Sequence, residues 1–357
     1  MRIVVALSGG VDSAVAAALL QRQGHDVVGV TLRLVDLSAQ GLGASRCCSP
    51  ADVVHAREVG RRLGIPHYVL DFEDVFRREV LDPFVSSYLA GETPLPCARC
   101  NSRLKFGRLL ELAPMFGATA LASGHYARVV HGPDGTPELH RARARDKDQS
   151  YFLFELAVEQ LTRLVLPLAE LGKPEVRRIA ADLGLANADR PESQEVCFVP
   201  AGGSYVDVLD KLAPDRLPGG GEIVDSGGAV LGRHAGFHRY TIGQRRGLGV
   251  AAGDRLYVTS LDAARNRVTV GRTGETLRTR LVLRDVNWLG EPGVRALSAA
   301  VQIRSRHAPA PAEVVLTGGG GATVSFTTPV PSPACGQAAV VYAGDRVLGG
   351  GWIAATG

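Results

Sequence analysis

Short apolar runs alternate with amphipathic segments along the first 200 residues of the chain. The run Arg2–Leu7 predicts a buried strand, and Asp12–Gln23 predicts a helix that Gly24 ends. Further strands are predicted at Val27–Leu34, His67–Asp71 and Thr119–Ser123, with a helix before or after each of them. Strands that alternate with helices in this way predict an α/β fold, with a doubly wound parallel sheet.

The pattern changes near residue 200, where helical periodicity fades and short β-like runs appear between glycine-rich turns. Runs up to Gly271, including Arg239–Gly249, predict a small mixed domain. The runs that follow predict a C-terminal β-barrel of roughly six strands. We therefore expect three domains, at residues 1–200, 201–271 and 272–357.

Composition is that of a globular protein that does not cross a membrane. The 357 residues are 45% hydrophobic and 21% charged, without an apolar run of the roughly 20 residues that a membrane span needs. The N-terminal apolar stretch is too short for a signal peptide, so a cytoplasmic location is expected. The net charge of +4 permits a nucleic-acid partner without requiring one. Only four basic residues are lysines, which suggests point-charge roles for Lys105, Lys147, Lys173 and Lys211.

The stretch Ser8-Gly9-Gly10-Val11-Asp12-Ser13 joins the first predicted strand to the first predicted helix. N–H groups at the start of a helix and adjacent glycines form a site for phosphate, and the carboxylate of Asp12 could hold Mg²⁺. No Gly-Lys-Ser/Thr follows at the spacing of a Walker P-loop. The stretch resembles instead the phosphate loop of the ATP pyrophosphatases, which predicts ATP as a ligand. Leu32, at the end of the second strand, is a candidate contact of the adenine.

Cysteines form the second chemical signal. Cys97 and Cys100 stand in a Cys-x-x-Cys spacing before a predicted helix that starts near Asn101, where a helix dipole favours thiolate. Such a pair is half a zinc site, a redox pair or part of a cluster site. No second pair lies nearby in the sequence, but Cys197 could return to the same crevice.

An ordered set of motifs resembles the tRNA-specific 2-thiouridylases over the whole chain. Besides the phosphate loop, it comprises TPLPCARCNSRLKFG, SGHYAR, KDQSYFLF, GKPEVRRIA, SQEVCFVP, YTIGQRRGLG and GQAAVVYAGDRVLGGG. The resemblance implies an adenine nucleotide alpha-hydrolase-like N-terminal domain. It also implies an ATP-dependent sulfurtransferase that adenylates the C2 oxygen of the wobble uridine of tRNA and then replaces it with sulfur.

The resemblance also implies roles for individual residues, by position. Cys197 would carry a persulfide, and Cys100 would be the nucleophile that releases the sulfur or closes a disulfide with Cys197. ATP would be bound by Ala6, Leu7, Ser8, Gly9, Gly10, Val11, Asp12, Ser13, Leu32 and Gly124. The tRNA would be contacted by Leu95, Pro96, Cys97, His125, Lys147, Asp148, Gln149, Arg304, Ser305 and Gln337.

Two residues depart from the pattern of the family. Leu95 replaces the usual Asn, and Cys97 stands where many relatives have Asp. Three thiolates, at Cys97, Cys100 and Cys197, could ligate an iron–sulfur cluster whose open iron carries sulfide. The persulfide and the cluster are therefore both open at this stage, and Cys97 is either a bystander or a ligand.

Other functions remain open from the sequence alone. The same ATP loop occurs in amide-forming synthetases of the argininosuccinate- and GMP-synthetase kind, which require neither a cysteine pair nor an RNA-binding barrel. An RNA-binding protein with a vestigial nucleotide fold is a third alternative. For the main interpretation, we expect a sulfur-relay protein or a cysteine desulfurase as persulfide donor, and a monomer on one tRNA.

Overall fold

The structure is a computed structural model that describes residues 1–34, 50–185, 196–200, 202–250 and 255–357. The sequence predicts Ser49 as the N-cap of the second helix and predicts structural roles for Cys47 and Cys48, and all three lie outside the described residues.

A parallel sheet forms the N-terminal part, as the alternation of strands and helices predicts. Within the described ranges it has five strands in the order β3-β2-β1-β4-β7, all paired in parallel. They are β1 (Arg2–Ala6), β2 (Asp26–Arg33), β3 (His67–Asp71), β4 (Ala120–Ala122) and β7 (Leu164–Val165). Because β1 lies between β2 and β4, the loop after β1 opens at a switch in strand order, where α/β folds bind ligands.

Helices pack on this sheet through alanine, valine and leucine side chains. The first, α1 (Val11–Arg22), buries Ala14, Val15, Ala16, Ala17 and Leu20 against it. The helices α2 (Pro50–Leu63) and α8 (Lys173–Asp182) contribute to the same core. The remaining helices of the described chain are α3 (Glu73–Phe76), α4 (Asp82–Leu89), α5 (Pro96–Arg99), α6 (Leu109–Leu112), α7 (Val158–Thr162) and α9 (Tyr205–Leu212). Two π-helical segments, Arg77–Leu81 and Cys100–Arg108, connect α3 to α4 and α5 to α6. A hairpin of β5 (Ala127–His131) and β6 (Pro137–Arg141) follows β4.

The predicted small mixed sheet is also present. It has the order β10-β11-β8-β9, in which only β11 and β8 run parallel. Its strands are β8 (Gly221–Val224), β9 (Val230–His234), β10 (Tyr257–Asp262) and β11 (Arg267–Gly271). The prediction of a β-like run at Arg239–Gly249 is wrong. A short 3₁₀ turn covers Phe237–Arg239, and the chain after it is irregular up to Gly249. This stretch carries three glycines, and Gly243, Gly247 and Gly249 all have positive φ.

The C-terminal strands close into a barrel, which confirms the predicted fold class. In the described chain six strands follow one another in the order β12-β15-β14-β13-β16-β17, and β12 also pairs with β17. They are β12 (Leu277–Trp288), β13 (Ala296–Gln302), β14 (Ala310–Thr317), β15 (Gly321–Pro331), β16 (Ala338–Ala343) and β17 (Arg346–Thr356). Alternate residues such as Ala322, Val324 and Phe326 of β15 fill the interior.

The chain divides into two compact units that are not continuous in sequence. One comprises residues 1–81, 96–204 and 345–347, and the other comprises residues 82–95, 205–344 and 348–357. The three domains expected above were divided by sequence pattern, which these two units do not test, so their boundaries stay predictions. Among the described residues, no helix is both long and apolar enough to cross a membrane.

Candidate active site

The phosphate loop Ser8–Ser13 follows β1 and opens α1, as the sequence predicts. Gly9 has a φ of +75°, and a Cβ there would lie 2.5 Å from the carbonyl oxygen of Asp52. Only glycine fits this backbone and this approach. Gly10 is the N-cap residue, and the first helical bond runs from Ala14 N to Gly10 O. The N–H groups before that bond are the orphan donors of a helix start, which favour an anion.

The two serines of the loop have different positions. Ser13 is buried, and its hydroxyl donates to Gly10 O at 3.1 Å and accepts from Ser8 N at 3.1 Å. Ser13 therefore braces the turn from inside. Ser8 is exposed, with its hydroxyl 3.2 Å from that of Ser13. Ser8 is thus the hydroxyl of the pair that faces solvent.

Asp12 forms an ion pair that the sequence analysis missed. Lys173 Nζ, at the start of α8, lies 2.7 Å from Oδ1 and 2.8 Å from Oδ2 of Asp12. The Tyr126 hydroxyl donates to Oδ1 at 2.7 Å. The side chain of Lys173 is only 8% exposed and that of Asp12 is 30% exposed. The N-termini of α1 and α8 thus meet through one carboxylate, and the rarity of lysine in the chain was the signal for Lys173.

Gly124, at the end of β4, lies directly against the first turn of α1. A Cβ on Gly124 would be 2.6 Å from both Asp12 C and Ser13 N. The other predicted ATP contacts, Leu7, Val11 and Leu32, are buried, and Ala6 is partly buried. The structure therefore brings Gly124 to the phosphate loop, and it places Leu32 within β2.

The cysteine segment starts a helix earlier than the sequence predicts. The expected start near Asn101 is wrong, because α5 begins at Pro96, which suits the first helical position. Cys97 is therefore in the first turn and partly exposed, while Cys100 ends that turn and is buried. The π-helical segment begins at Cys100, and Asn101 beside it is 3% exposed.

A path of contacts leads from Cys100 back to the phosphate loop. Asn101 accepts a hydrogen bond from Lys105 Nζ at 3.2 Å, and its amide donates to Phe152 O. Phe106 packs edge-on against His125, with 5.4 Å between ring centroids. His125 Nδ1 lies 2.9 Å from the Ser123 hydroxyl. His125 directly follows Gly124, so it lies between the cysteine segment and the first turn of α1.

His125 is neutral at physiological pH. Burial, together with the positive charge of Lys105, lowers its pKa from 6.5 to about 3. A neutral imidazole carries one donor and one acceptor. It can therefore offer a hydrogen bond to a base without attracting phosphate.

Cys197 lies in a turn closed by a hydrogen bond from Val199 N to Val196 O. It is partly exposed, while its neighbour Phe198 is buried and packs edge-on against Phe76 of α3. The buried phenyl ring fixes the backbone beside the thiol. The residues just before Val196 in the motif lie outside the described part of the chain.

The three residues Lys147, Asp148 and Gln149, expected at the tRNA, differ in exposure and in partners. The Asp148 side chain is 5% exposed and accepts bonds from Arg141 Nη1, Ala142 N, Ser150 N and the Ser150 hydroxyl. Gln149 pairs with the backbone of Tyr126, at 3.0 Å through its Oε1 and at 2.8 Å through its N–H. These two residues hold the loop and, through Tyr126, the partners of Asp12. Lys147 is partly exposed.

In the second compact unit, Gln337 and Arg284 hold the segment that ends at Leu95. Gln337 Nε2 donates to Thr93 O at 3.0 Å and to Pro94 O at 3.2 Å. Arg284 binds both carboxylate oxygens of Glu92 at 2.8 Å. Gln337 therefore binds the backbone of the loop that carries the predicted base contact.

Arg304 and Ser305 follow β13 at the end of the barrel. Arg304 Nη2 donates to the backbone oxygens of Ser332 and Ile242. Gln302, buried beneath them, donates to Arg304 O at 2.9 Å and to Ser305 O at 3.0 Å. Ser305 is exposed. The structure thus fixes the backbone of both residues and leaves the Ser305 side chain at the surface.

Comparisons with known proteins cover nearly the whole chain. Residues 1–201 match the family described as tRNA methyl transferase HUP domain, residues 207–272 match its PRC-barrel domain, and residues 278–353 match the aminomethyltransferase beta-barrel domain. These three matches follow the order of parallel sheet, mixed sheet and barrel seen in the structure.

Curated relatives are similar along their full length. A tRNA-specific 2-thiouridylase MnmA of Rhodospirillum centenum is 51% identical over 99% of this chain and 91% of its own. The enzyme of the same name from Geobacter metallireducens is 50% identical over 99% and 96%, and that of Rickettsia conorii is 47% identical over 98% and 95%. With this identity over both chains, and with the phosphate loop and the cysteines in place, the chain belongs to the family of tRNA-specific 2-thiouridylases.

Proposed function

We propose that this protein is an ATP-dependent tRNA sulfurtransferase that places sulfur at C2 of a wobble uridine. The names of its relatives support the substrate and the product. The observation that carries the proposal is the position of Gly124 and His125. They lie between the first turn of α1 and the π-helical segment that begins at Cys100. A phosphate site and a thiol segment thus share one strand end.

The loop fits the phosphates of a nucleoside triphosphate. Gly9 lies against the backbone of Asp52 and Gly124 against that of Asp12 and Ser13, so these close contacts hold the loop in place, and the start of α1 supplies backbone donors for phosphate. In the adenylation step, the C2 oxygen of the uridine attacks the α-phosphorus of ATP. A new O–P bond forms, the bond to the β-phosphate oxygen breaks, and pyrophosphate leaves with its electron pair. The loop would hold the departing phosphates.

Sulfur transfer requires both cysteines. The terminal sulfur of a Cys197 persulfide attacks C2, and AMP leaves with the C2 oxygen. The Cys100 thiolate then attacks Sγ of Cys197, so the S–S bond breaks and its electron pair stays on the sulfur bound to C2. The C2–S double bond forms as N3 takes back the proton that it lost on adenylation. The products are 2-thiouridine and a Cys100–Cys197 disulfide. A dithiol reductant restores the two thiols, and a persulfide donor reloads Cys197.

Metal groups fit the site less well than the nucleotide does. Both carboxylate oxygens of Asp12 already bind Lys173, so Mg²⁺ could use Asp12 only if that ion pair opened. Across the described ranges, no three side chains of His, Cys, Asp or Glu are grouped to hold a metal. Cys97, Cys100 and Cys197 all lie within those ranges, so the three-thiolate cluster does not fit and the persulfide is preferred.

Partners follow from the proposed reaction. The expected tRNA contacts are those that the family resemblance implies; among them Ser305 is exposed and Lys147 is partly exposed. Asp148, Gln149 and Gln337 act in this proposal by holding loops. We keep a cysteine desulfurase or a sulfur-relay protein as donor, a monomer as active form, and the cytoplasm as location.

Pyrophosphate exchange into ATP tests the proposal. Exchange that appears only when substrate tRNA is added supports adenylation of the tRNA. Exchange with a small carboxylic acid would support an amide-forming synthetase instead, and no exchange under either condition would support an RNA-binding protein. A methyl group transferred from a sulfonium donor without ATP would support the activity in the name of the family model and contradict ours.

A further inference from the structure

The helix that carries Cys100 changes its hydrogen-bond pattern at Cys100 itself. From Cys100 to Arg108 the backbone is π-helical, with bonds between residues five apart. Such turns are rare, and they occur mostly as single turns at functional sites. A π-helical stretch of this length therefore needs a partner that holds it open.

Gln160 of α7 is that partner. Its Nε2 donates to Phe106 O at 2.8 Å and to Ser102 O at 3.1 Å, while its Oε1 accepts from Ala157 N at 2.8 Å. One side-chain amide thus binds two carbonyl oxygens of the widened turns. A side chain inserted into the helical ladder is a recognised cause of such a distortion.

Gly107 shows how little room the widened turn leaves. A Cβ at this position would lie 2.7 Å from Ser102 O, the carbonyl that Gln160 binds. Any larger residue would push that carbonyl and disturb the same bond. Gln160 and Gly107 therefore act on one backbone group from two sides.

The widened turns determine what lies around Cys100. Each residue of an α-helix turns the chain by about 100°. If a π turn returned to α-helical bonding, the side chains on one side of it would rotate by about this angle relative to those on the other side. Phe106 would then lose its contact with His125, which lies outside this helix. That contact belongs to the path that joins Cys100 to the phosphate loop.

We propose that Gln160 is a positioning residue for sulfur transfer, because its amide keeps the turns after Cys100 in the π-helical form. This inference rests on the proposed function, in which Cys100 is the nucleophile. Adenylation uses the phosphate loop, which Gln160 does not contact. Loss of the Gln160 amide should therefore separate the two half-reactions.

The decisive variant is Gln160→Glu. It keeps the Oε1 that accepts from Ala157 N, and it replaces the double donor with an oxygen that faces two carbonyls. We expect sulfur transfer in a single turnover to fall by about tenfold or more, since a shift of about 1 Å costs up to a hundredfold. We expect tRNA-dependent pyrophosphate exchange to stay within about threefold of wild type. The pH profile of Cys100 alkylation by iodoacetamide, followed by peptide mass spectrometry, should move.

Gly107→Ala is the second variant, with the same expected phenotype. Gln21→Glu is the matched control, since Gln21 Nε2 also donates to a backbone oxygen, Leu63 O at 2.7 Å, between two helices. The control should behave as wild type in all three assays. If Gln160→Glu does not fold, Gly107→Ala decides the question alone.

Each outcome has one meaning. Wild-type sulfur transfer in the folded variant, or reduced transfer with an unchanged alkylation profile, would overturn the inference. Equal loss of exchange and transfer would also overturn it, because the amide would then be supporting the whole domain. Absence of thiolation by the wild-type protein would instead refute the proposed function.

Discussion

Gly124→Ala tests how the end of β4 supports the phosphate loop. The new methyl group would lie 2.6 Å from Asp12 C and from Ser13 N, whereas ordinary contacts begin at about 3.4 Å. The first turn of α1 must therefore move by about 0.8 Å. The two atoms belong to the backbone, so no side-chain rotation can relieve the contact.

This displacement has a predictable size of effect. Overpacking of this kind costs about 1–3 kcal/mol of folding free energy. A misplacement of about 1 Å at reacting groups costs about a hundredfold in rate. We therefore expect kcat/KM for ATP in tRNA-dependent pyrophosphate exchange to fall by about tenfold to a hundredfold. The affinity for tRNA should stay within about twofold of wild type.

Gly274→Ala is the control, because a Cβ at Gly274 meets no atom within 4 Å. It should leave exchange unchanged. Exchange by Gly124→Ala within about threefold of wild type would refute the assignment of this loop as the ATP site. The melting temperature of each variant shows whether it is folded under the conditions of the assay.

Four further predictions address other parts of the site. Asp12→Asn should abolish exchange, because it removes the partner of Lys173 at the loop, and equal loss of tRNA affinity in a filter-binding assay would contradict this. The pKa of His125 is lower in the folded protein, at about 3, than in the unfolded chain, at 6.5. Its contribution to folding stability is therefore present above pH 6.5 and is lost as the pH falls toward about 3. His125→Asn should therefore flatten the fall in melting temperature between pH 6.5 and 4, and an unchanged slope would contradict its burial. Arg246→Ala should reduce the log–log salt slope of tRNA binding by about one or less, and an unchanged slope would mean that Arg246 contacts no phosphate. Cys97→Ser should retain sulfur transfer without bound iron, whereas loss of both iron and sulfur transfer would support the iron–sulfur mechanism instead.

Much of the fold follows from local sequence. The apolar strands and the glycine turn of the phosphate loop predict the parallel sheet and the start of α1. Strand periodicity likewise predicts the barrel, because alternate residues such as Ala322, Val324 and Phe326 face its interior. These features depend on neighbours along the chain, which a sequence displays directly.

Other features depend on partners distant in sequence or on register. Asp12 and Lys173 are 161 positions apart, and no local pattern joins them. The Asp148 carboxylate binds the backbone of its own loop. The sequence does not show this, because an aspartate that faces solvent from a loop has the same sequence signal. The π-helical form after Cys100 needs the Gln160 amide, which reaches it from another helix. The start of this helix at Pro96 rather than near Asn101, by contrast, has a local signal, since proline suits the first helical position.

The most direct test of the account is a single turnover with persulfide-loaded protein. The protein would be mixed with substrate tRNA and ATP without reductant, and then the nucleosides and the cysteine peptides would be measured by mass spectrometry. One 2-thiouridine is expected for each Cys100–Cys197 disulfide formed, and neither product is expected from Cys100→Ser, from Cys197→Ser or without ATP. Thiolation that proceeds without ATP, or that survives the loss of Cys197, would contradict the proposed reaction.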